Sequence, residues 1–167
     1  AGVEFMGESA KILNPKKRVF MPDMNADCPM AHMADKDEIL ALREKYDDLA
    51  VVCYINSTAE LKKYSDVCVT SSNAVKIVKN LPNKNIFFIP DRNLGSYVAK
   101  QCPDKNFIFN NGCCPRHVVI TKDMVLKAKE LHPEARFAAH PECTEDVLAL
   151  ADYVGSTSGI IDYVVDT

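Results

Sequence analysis

No apolar run in these 167 residues approaches the roughly 20 residues that a membrane-spanning helix needs. No signal-peptide pattern is visible either. Lys and Arg total 20 against 23 Asp and Glu, and no basic run occurs, so the net charge of −3 argues against nucleic acid as a partner. There is no Gly-Ser linker and no low-complexity tract. The seven cysteines are odd in number and scattered, so they do not make a disulfide framework. They fit metal-binding or catalytic thiols in a reducing cytoplasm. The chain also lacks an initiating Met: it opens Ala1-Gly-Val-Glu4, stops at Thr167, and reads as cut at both ends. What remains is ordinary for a globular protein, 47% hydrophobic and 26% charged, with enough length for one good core or two small ones.

The chain is organised around Pro22-Asp-Met-Asn-Ala-Asp-Cys28-Pro-Met-Ala-His32. It follows a short apolar run, Arg18–Met21, and precedes a helical pattern. Asn110-Asn-Gly-Cys-Cys114-Pro-Arg-His117 does the same after Asn106–Phe109, and the two Cys-Pro pairs stand 86 residues apart. Sliding residues 25–78 over 111–164 gives 11 identities in 54 positions without a gap. Chance would give roughly three. The register pairs Tyr54 with His140, Asp66 with Asp152 and Ser71 with Thr157. Duplication explains this better than chance. It divides the chain into the tail of an earlier copy (1–18), a repeat carrying Cys28 (19–104) and an incomplete repeat carrying Cys114 (105–167). One similarity runs against the register: Phe87–Asn93 resembles Val19–Asn25 at an offset of 68, which leaves the strand order near the second cysteine open.

Periodicity and punctuation predict helices over Glu4–Leu13, Lys36–Tyr46, Thr58–Tyr64, Ser71–Asn80, Leu94–Gln101, Lys122–Leu131, Thr144–Leu150 and from about Ser158. Strands are predicted at Val19–Met21, Ala50–Ile55, Val67–Val69, Ile86–Ile89, Phe107–Phe109, Arg136–Ala139 and Tyr153–Val154. Strands alternating with helices imply an α/β fold of tandem three-layer αβα units with parallel sheets.

Reactive side chains gather at the predicted strand ends, where open α/β sheets place their ligands. They are Cys28; Tyr54-Ile-Asn56; Cys114 with His117; and His140-Pro-Glu142. Hydroxyl clusters Thr70-Ser-Ser-Asn73 and Ser156-Thr-Ser-Gly159 open the helices that follow. One such cluster alone reads as an N-cap; two at corresponding repeat positions suggest bound anions, because helix N-termini present free N–H groups. His140 and Glu142, two apart in an extended chain, would face one way, as an acid and base require. Taken alone, the pair reads better as a structural histidine and an exposed glutamate. Cys53 and Cys68 sit in apolar runs and read as core, and nothing gives Cys102 a role. Cys113 has Asp27 at its counterpart and reads as a bystander. Cysteines this far apart are no local zinc knuckle. They read as ligands brought to a shared centre by successive repeats, where three thiolates would suit a four-iron cluster with one open iron.

These motifs resemble the quinolinate synthase A family, iron–sulfur enzymes of NAD biosynthesis. The resemblance rests on Phe5–Pro15, Pro22–Cys28, Tyr54–Ala59, Thr70–Ala74, Pro90–Gly95, His140–Cys143 and Gly155–Gly159, and extends over essentially the whole chain. It implies three similar α/β domains around a pseudo-threefold axis. The implied reaction condenses iminoaspartate with dihydroxyacetone phosphate to give quinolinate. A [4Fe-4S] cluster held by one cysteine per domain acts as Lewis acid. Carried over by motif, Cys28 and Cys114 are two cluster ligands. Tyr54, Asn56 and Ser71 contact substrate, His140 and Glu142 serve substrate binding and proton transfer, and Ser156 and Thr157 hold anionic groups; Tyr54 is grouped with the catalytic pair. An aspartate oxidase or dehydrogenase would supply iminoaspartate. The family's N-terminal His-Asn-Tyr segment and third cysteine are not in this sequence. Two other classes compete: a zinc-binding, non-redox protein using Cys28, Cys114, His117 and His140, and a non-catalytic fragment serving as a scaffold or binding module.

Overall fold

A computed structural model describes residues 1–167. Four strands form a parallel sheet: β1 (Leu49–Tyr54), β2 (Val67–Val69), β3 (Asn85–Ile89) and β4 (Asn106–Phe109), in the order β2-β1-β3-β4. β1 and β3 are the central pair, and their runs Leu-Ala-Val-Val-Cys and Ile-Phe-Phe-Ile are buried on both faces, as parallel strands between helices must be. The chain goes outward from β1 to β2, then crosses back to β3. Right-handed crossovers therefore set the first connecting helix, α3 (Ala59–Lys62), on one face, and α4 (Ala74–Asn80) and α5 (Arg92–Gln101) on the other.

Alternation along the strands feeds both layers. Ala50, Val52, Ile86 and Phe88 pack with Ala74 and Val78 of α4 and Leu94 and Val98 of α5. Leu49, Val51, Phe87 and Ile89 pack with Leu61 of α3 and with Ile39 of α2 (Lys36–Lys45). Phe87 and Phe88 are fully buried on opposite faces. Each such side chain contributes about 1.5–3 kcal/mol relative to remaining exposed.

The second half begins the same pattern again. β5 (Ala138–Ala139) pairs in parallel with β6 (Tyr153–Val154), flanked by α6 (Lys122–Leu131), α7 (Glu145–Leu148) and α8 (Thr157–Asp166). Helix starts at Lys36 and Ala59 and the strand start at Val67 recur 86 residues later at Lys122, Glu145 and Tyr153. Detailed contacts recur too. Asp66 Oδ2 pairs with Arg43 and accepts the Val51 amide; Asp152 Oδ2 pairs with Lys129 and accepts the Phe137 amide, each partner displaced by the same interval. The hydroxyl pair Thr70–Ser72 recurs as Ser156–Ser158. The second copy has two strands where the first has four, and its core is correspondingly small: Val125, Cys143 and Val147. Met124, Leu131, Val164 and Val165 stay exposed.

Several sequence expectations shift. Val19–Met21 is not a strand, and Phe20 is 74% exposed. In the 86-residue register this run matches β4, an edge strand that pairs only with the strand before it. Among these residues no strand lies beside Val19–Met21; the Phe20 carbonyl instead accepts from the Ala1 amino group. α1 (Glu4–Leu13) has the predicted bounds and docks on α3, where Glu8 accepts the Ala59 amide. β4 itself, placed in the second repeat by the period, hydrogen-bonds into the first sheet. The helix predicted from Ser71 begins at Ala74, because Asn73 Oδ1 takes the Thr70 amide and holds 70–73 as a turn. The predicted strand Arg136–Ala139 is ordered as strand only at Ala138–Ala139, and Thr58–Tyr64 and Thr144–Leu150 shorten to one helical turn each. No helix is long and apolar enough to cross a membrane.

Candidate functional site

Reversal of strand order between β1 and β3 leaves a crevice at their carboxyl ends, the place where open α/β sheets bind ligands. β1 delivers Tyr54 there, followed by a tight turn, Ile55–Ser57, before Thr58 caps α3 by accepting the Leu61 amide. Asn56 and Ser57 are buried in this turn. Asn56 Nδ2 donates to Cys28 Sγ at 3.6 Å, while Asn56 Oδ1 has no partner. β3 delivers Asp91, fully buried. One carboxylate oxygen accepts the Leu94 amide and so caps α5; the other accepts the Cys114 amide at 2.9 Å. The two cysteines expected as ligands are thus each held beside one of two adjacent central strands, Cys28 through its thiol and Cys114 through its backbone amide. Gly112 makes the second loop possible. Its carbonyl accepts the Arg92 amide, and a Cβ there would lie 2.4 Å from the Pro90 carbonyl oxygen and 2.9 Å from Met33 Cβ.

The second copy supplies the other wall. After β5 the chain turns sharply at His140-Pro141-Glu142, closed by the Cys143 amide donating to the His140 carbonyl. His140 and Glu142 converge because of this turn, not because an extended strand puts alternate residues on one face. His140 Nδ1 lies 3.9 Å from Glu142 Oε1. Asn93 of α5 anchors the turn from the first unit by donating to the Glu142 carbonyl at 3.0 Å. His117, three residues after Cys114, places Nδ1 2.9 Å from Glu142 Oε2. The contact is an ion pair that favours the protonated imidazole beside the carboxylate. The His117 and His140 rings stack at 5.0 Å. Tyr54, His117, His140, Glu142 and Thr157 line one cleft of about 400 Å³.

The electrostatics follow from burial and this contact set. Burial alone would raise the Glu142 carboxyl, but His117, Tyr54, His140 and Cys114 outweigh it, and the group stays below the usual glutamate range. Contact with Glu142 raises His117 against its own burial. Desolvation lowers His140, so its imidazole stays neutral further into acid than a free histidine. Desolvation and the Glu142 charge push Tyr54 upward and keep its phenol protonated, with Ser71 acting in the opposite direction. Burial pushes the Cys114 thiol up to about 11 and the Asp91 carboxyl up to about 6. The arrangement offers an ionised carboxylate, a neutral imidazole and a phenol donor around one cavity, the requirements for moving protons on a small substrate.

Of the residues expected from sequence, Tyr54, His140, Glu142, Thr157 and Cys114 gather at this cleft, with Ser71 against Tyr54. Asn56 lies with Cys28. Ser156 caps α8 by accepting the Gly159 amide at 3.2 Å. Cys53 is core, as expected; Cys68, expected there too, is only half-buried, and Cys102, which had no role in the sequence reading, is buried in the core. His117 entered the sequence reading as a strand-end group beside Cys114 and as a zinc ligand, not as a partner of Glu142, and Asp91 and Asn93 had no role there. The Cys114-x-x-His117 spacing was the available signal for the first, and Pro90-Asp-Arg-Asn93 for the others.

Ser156 and Thr157 separate capping from ligand contact. Ser156→Ala is expected to cost about 1 kcal/mol of stability, read by denaturant titration. Thr157→Ala is expected to keep the melting temperature and lower turnover in the full-length protein. A Thr157→Ala variant that changes only the melting temperature sinks the ligand role.

Comparison with known proteins places this site in context. Residues 1–167 match the family described as "NadA: Quinolinate synthetase A protein". The quinolinate synthase of Fusobacterium nucleatum is 62% identical over 165 residues, covering 99% of this chain and 55% of that protein. Those of Caldicellulosiruptor saccharolyticus and Clostridioides difficile are 55% and 52% identical over 166 residues, with the same coverage. The chain therefore spans about 55% of the length of these relatives.

Proposed function

Since the chain belongs to the quinolinate synthetase A family, we propose that it is the central portion of a quinolinate synthase, condensing iminoaspartate with dihydroxyacetone phosphate to quinolinate for NAD biosynthesis. The observation that carries this reading is the cleft where Tyr54 of one repeat meets His140 and Glu142 of the next, beside Cys114. The donors fit an iron–sulfur cluster. Cys28 and Cys114 are free, half-buried thiols beside adjacent strand ends. Burial makes the Cys114 thiolate costly without a cation nearby. Asn56 Oδ1, buried and unpartnered, stands next to Cys28 and awaits a donor. Cys28 and Cys114 would be two of the [4Fe-4S] ligands, and the cluster when bound would supply a Lewis acid for a substrate oxygen.

The chain's own residues do the rest. Glu142, ionised and shielded from water, accepts a proton from substrate carbon or nitrogen. His140 is neutral and within reach of Glu142, so it can take a proton and return it to the departing hydroxyl during dehydration. Tyr54 donates its phenol proton as a hydrogen bond to the substrate and, with His140, closes the two sides of the cavity. Asn56 and Ser71 orient polar groups from the first repeat. Thr157, with the Ser156-capped amides of α8, receives an anionic group. An aspartate oxidase or dehydrogenase would act upstream, and free thiols suit a reducing cytoplasm.

The test is quinolinate formation from the two substrates by anaerobically purified protein of full family length, with visible absorption recorded on the same sample. Iron-dependent product and broad visible absorption are expected. Full activity in iron-free protein overturns the reading, and a colourless zinc protein favours the non-redox alternative.

A further inference from the structure

We infer that Cys53 and Cys68 form a peroxide-reactive dithiol, a modification site in which Cys68 is the attacking thiol and Cys53 the resolving one. The two residues are direct partners across β1 and β2. Paired strands lie about 4.8 Å apart. That separation falls inside the roughly 4.4–6.8 Å that a disulfide spans between Cα atoms. Both side chains belong to the layer of Leu61, Phe87 and Ile89, and the two thiols are within hydrogen-bonding reach of each other. Pairing to β3 holds Cys53 from its other side, opposite Ile89. Access differs between the two. Cys53 is fully buried, whereas β2 is an edge strand and leaves Cys68 half-buried. An oxidant arriving from solvent meets Cys68 first.

Charge assigns the two roles. Contact with the Cys53 thiol, helped by the Lys62 ammonium, brings Cys68 down to about 6 against its own burial. The same contact and burial push Cys53 upward, so Cys53 keeps its proton. That proton turns either to the Cys68 sulfur or to the Tyr54 carbonyl, 3.5 Å from Cys53 Sγ. A thiolate within reach of solvent, beside a resolving thiol, is the arrangement that oxidation selects. Cys102 and Cys143 do not offer it: both lie outside the strands, and burial raises both thiols. In the first step the Cys68 thiolate attacks one oxygen of hydrogen peroxide. The O–O bond breaks, the sulfur is oxidised by two electrons to a sulfenic acid, and the departing hydroxide becomes water. In the second step the Cys53 sulfur attacks the Cys68 sulfur. The S–S bond forms, the S–O bond breaks, and hydroxide leaves as water with the Cys53 proton. The disulfide removes the donor to the Tyr54 carbonyl, so oxidation registers one residue from the phenol of the cleft. Thiol exchange reopens it, which makes the bond transient in a reducing compartment. The pair uses neither cluster nor substrate, so the inference does not rest on the function proposed above.

The test is peptide mapping of anaerobically purified protein of full family length, titrated with hydrogen peroxide, alkylated in denaturant and digested with trypsin. Cleavage after Lys45, Lys62, Lys63 and Lys76 separates Cys53, in Tyr46–Lys62, from Cys68, in Tyr64–Lys76. The expected product is these two peptides joined, lighter than their sum by two hydrogens and parted again by dithiothreitol. In Cys53→Ser protein the sulfenic acid persists at Cys68 and is captured by dimedone. In Cys68→Ser protein Cys53 is recovered as a free, alkylated thiol. Full alkylation of both peptides from unmutated protein at a peroxide excess overturns the assignment, as does a dimedone adduct on Cys53 in place of Cys68. The unmutated protein decides both of these outcomes without dependence on variant folding. Iron lost from a cluster under peroxide leaves this readout unchanged, so one reading can fail while the other stands.

Discussion

Glu142→Gln and His140→Ala, each made in cluster-loaded protein of full family length, are expected to lower quinolinate formation by roughly 10²–10⁴-fold and to leave iron content unchanged. Glu142 is 5% exposed, yet its contacts keep it ionised. Glutamine preserves its size and removes its charge and basicity, so loss of turnover reports proton transfer and not packing. His140 sits 3.9 Å from the same carboxylate and is held neutral by burial, which suits a group that must accept a proton. Because the pair acts as one unit, the double variant should be little worse than either single one. Steady-state rates with iron analysis on the same preparations settle this. Unmutated turnover in cluster-loaded His140→Ala would leave this histidine a structural residue.

Cys28→Ala and Cys114→Ala in the full-length protein are expected to abolish cluster binding outright, whereas Cys53→Ala, Cys68→Ala and Cys113→Ala retain it. Cys53 is buried among Val51, Phe87 and Ile89, and Cys68 packs beside it on β2, so neither thiol faces the crevice residues. Cys113 precedes the residue whose amide Asp91 fixes, and Asp27 stands at its counterpart. Cys28 and Cys114 share the 86-residue register and stand over neighbouring strand ends. Iron and sulfide analysis of the purified variants decides the matter. Normal iron in Cys114→Ala would move the ligand to Cys113.

Much of the fold was legible because it is locally encoded. Leu49–Tyr54 and Asn85–Ile89 are continuous apolar runs, and α2 and α6 carry their own periodicity and capping residues, Asp35 and Thr121. The gapless register has counterparts in the structure, where the Asp66 and Asp152 carboxylates, 86 residues apart, each accept a strand amide. Val19–Met21 misled because a strand is a property of two segments. Its apolar side chains satisfy the pattern, but no neighbouring strand offers hydrogen bonds.

By itself, the sequence determined the α/β alternation, the 86-residue repeat, the family, and the residue types that arrive at strand ends. Propensity, periodicity and register are written along the chain and need no third dimension. Only the tertiary structure decided that β4 belongs to the first sheet and that Asp91 and Asn93 fix the two functional loops. It alone joined His117 to Glu142, residues 25 apart on different loops, at 2.9 Å. Such contacts depend on how two packed units meet and on which buried groups find partners there. That is a balance of desolvation against charge, set by geometry and by no local pattern.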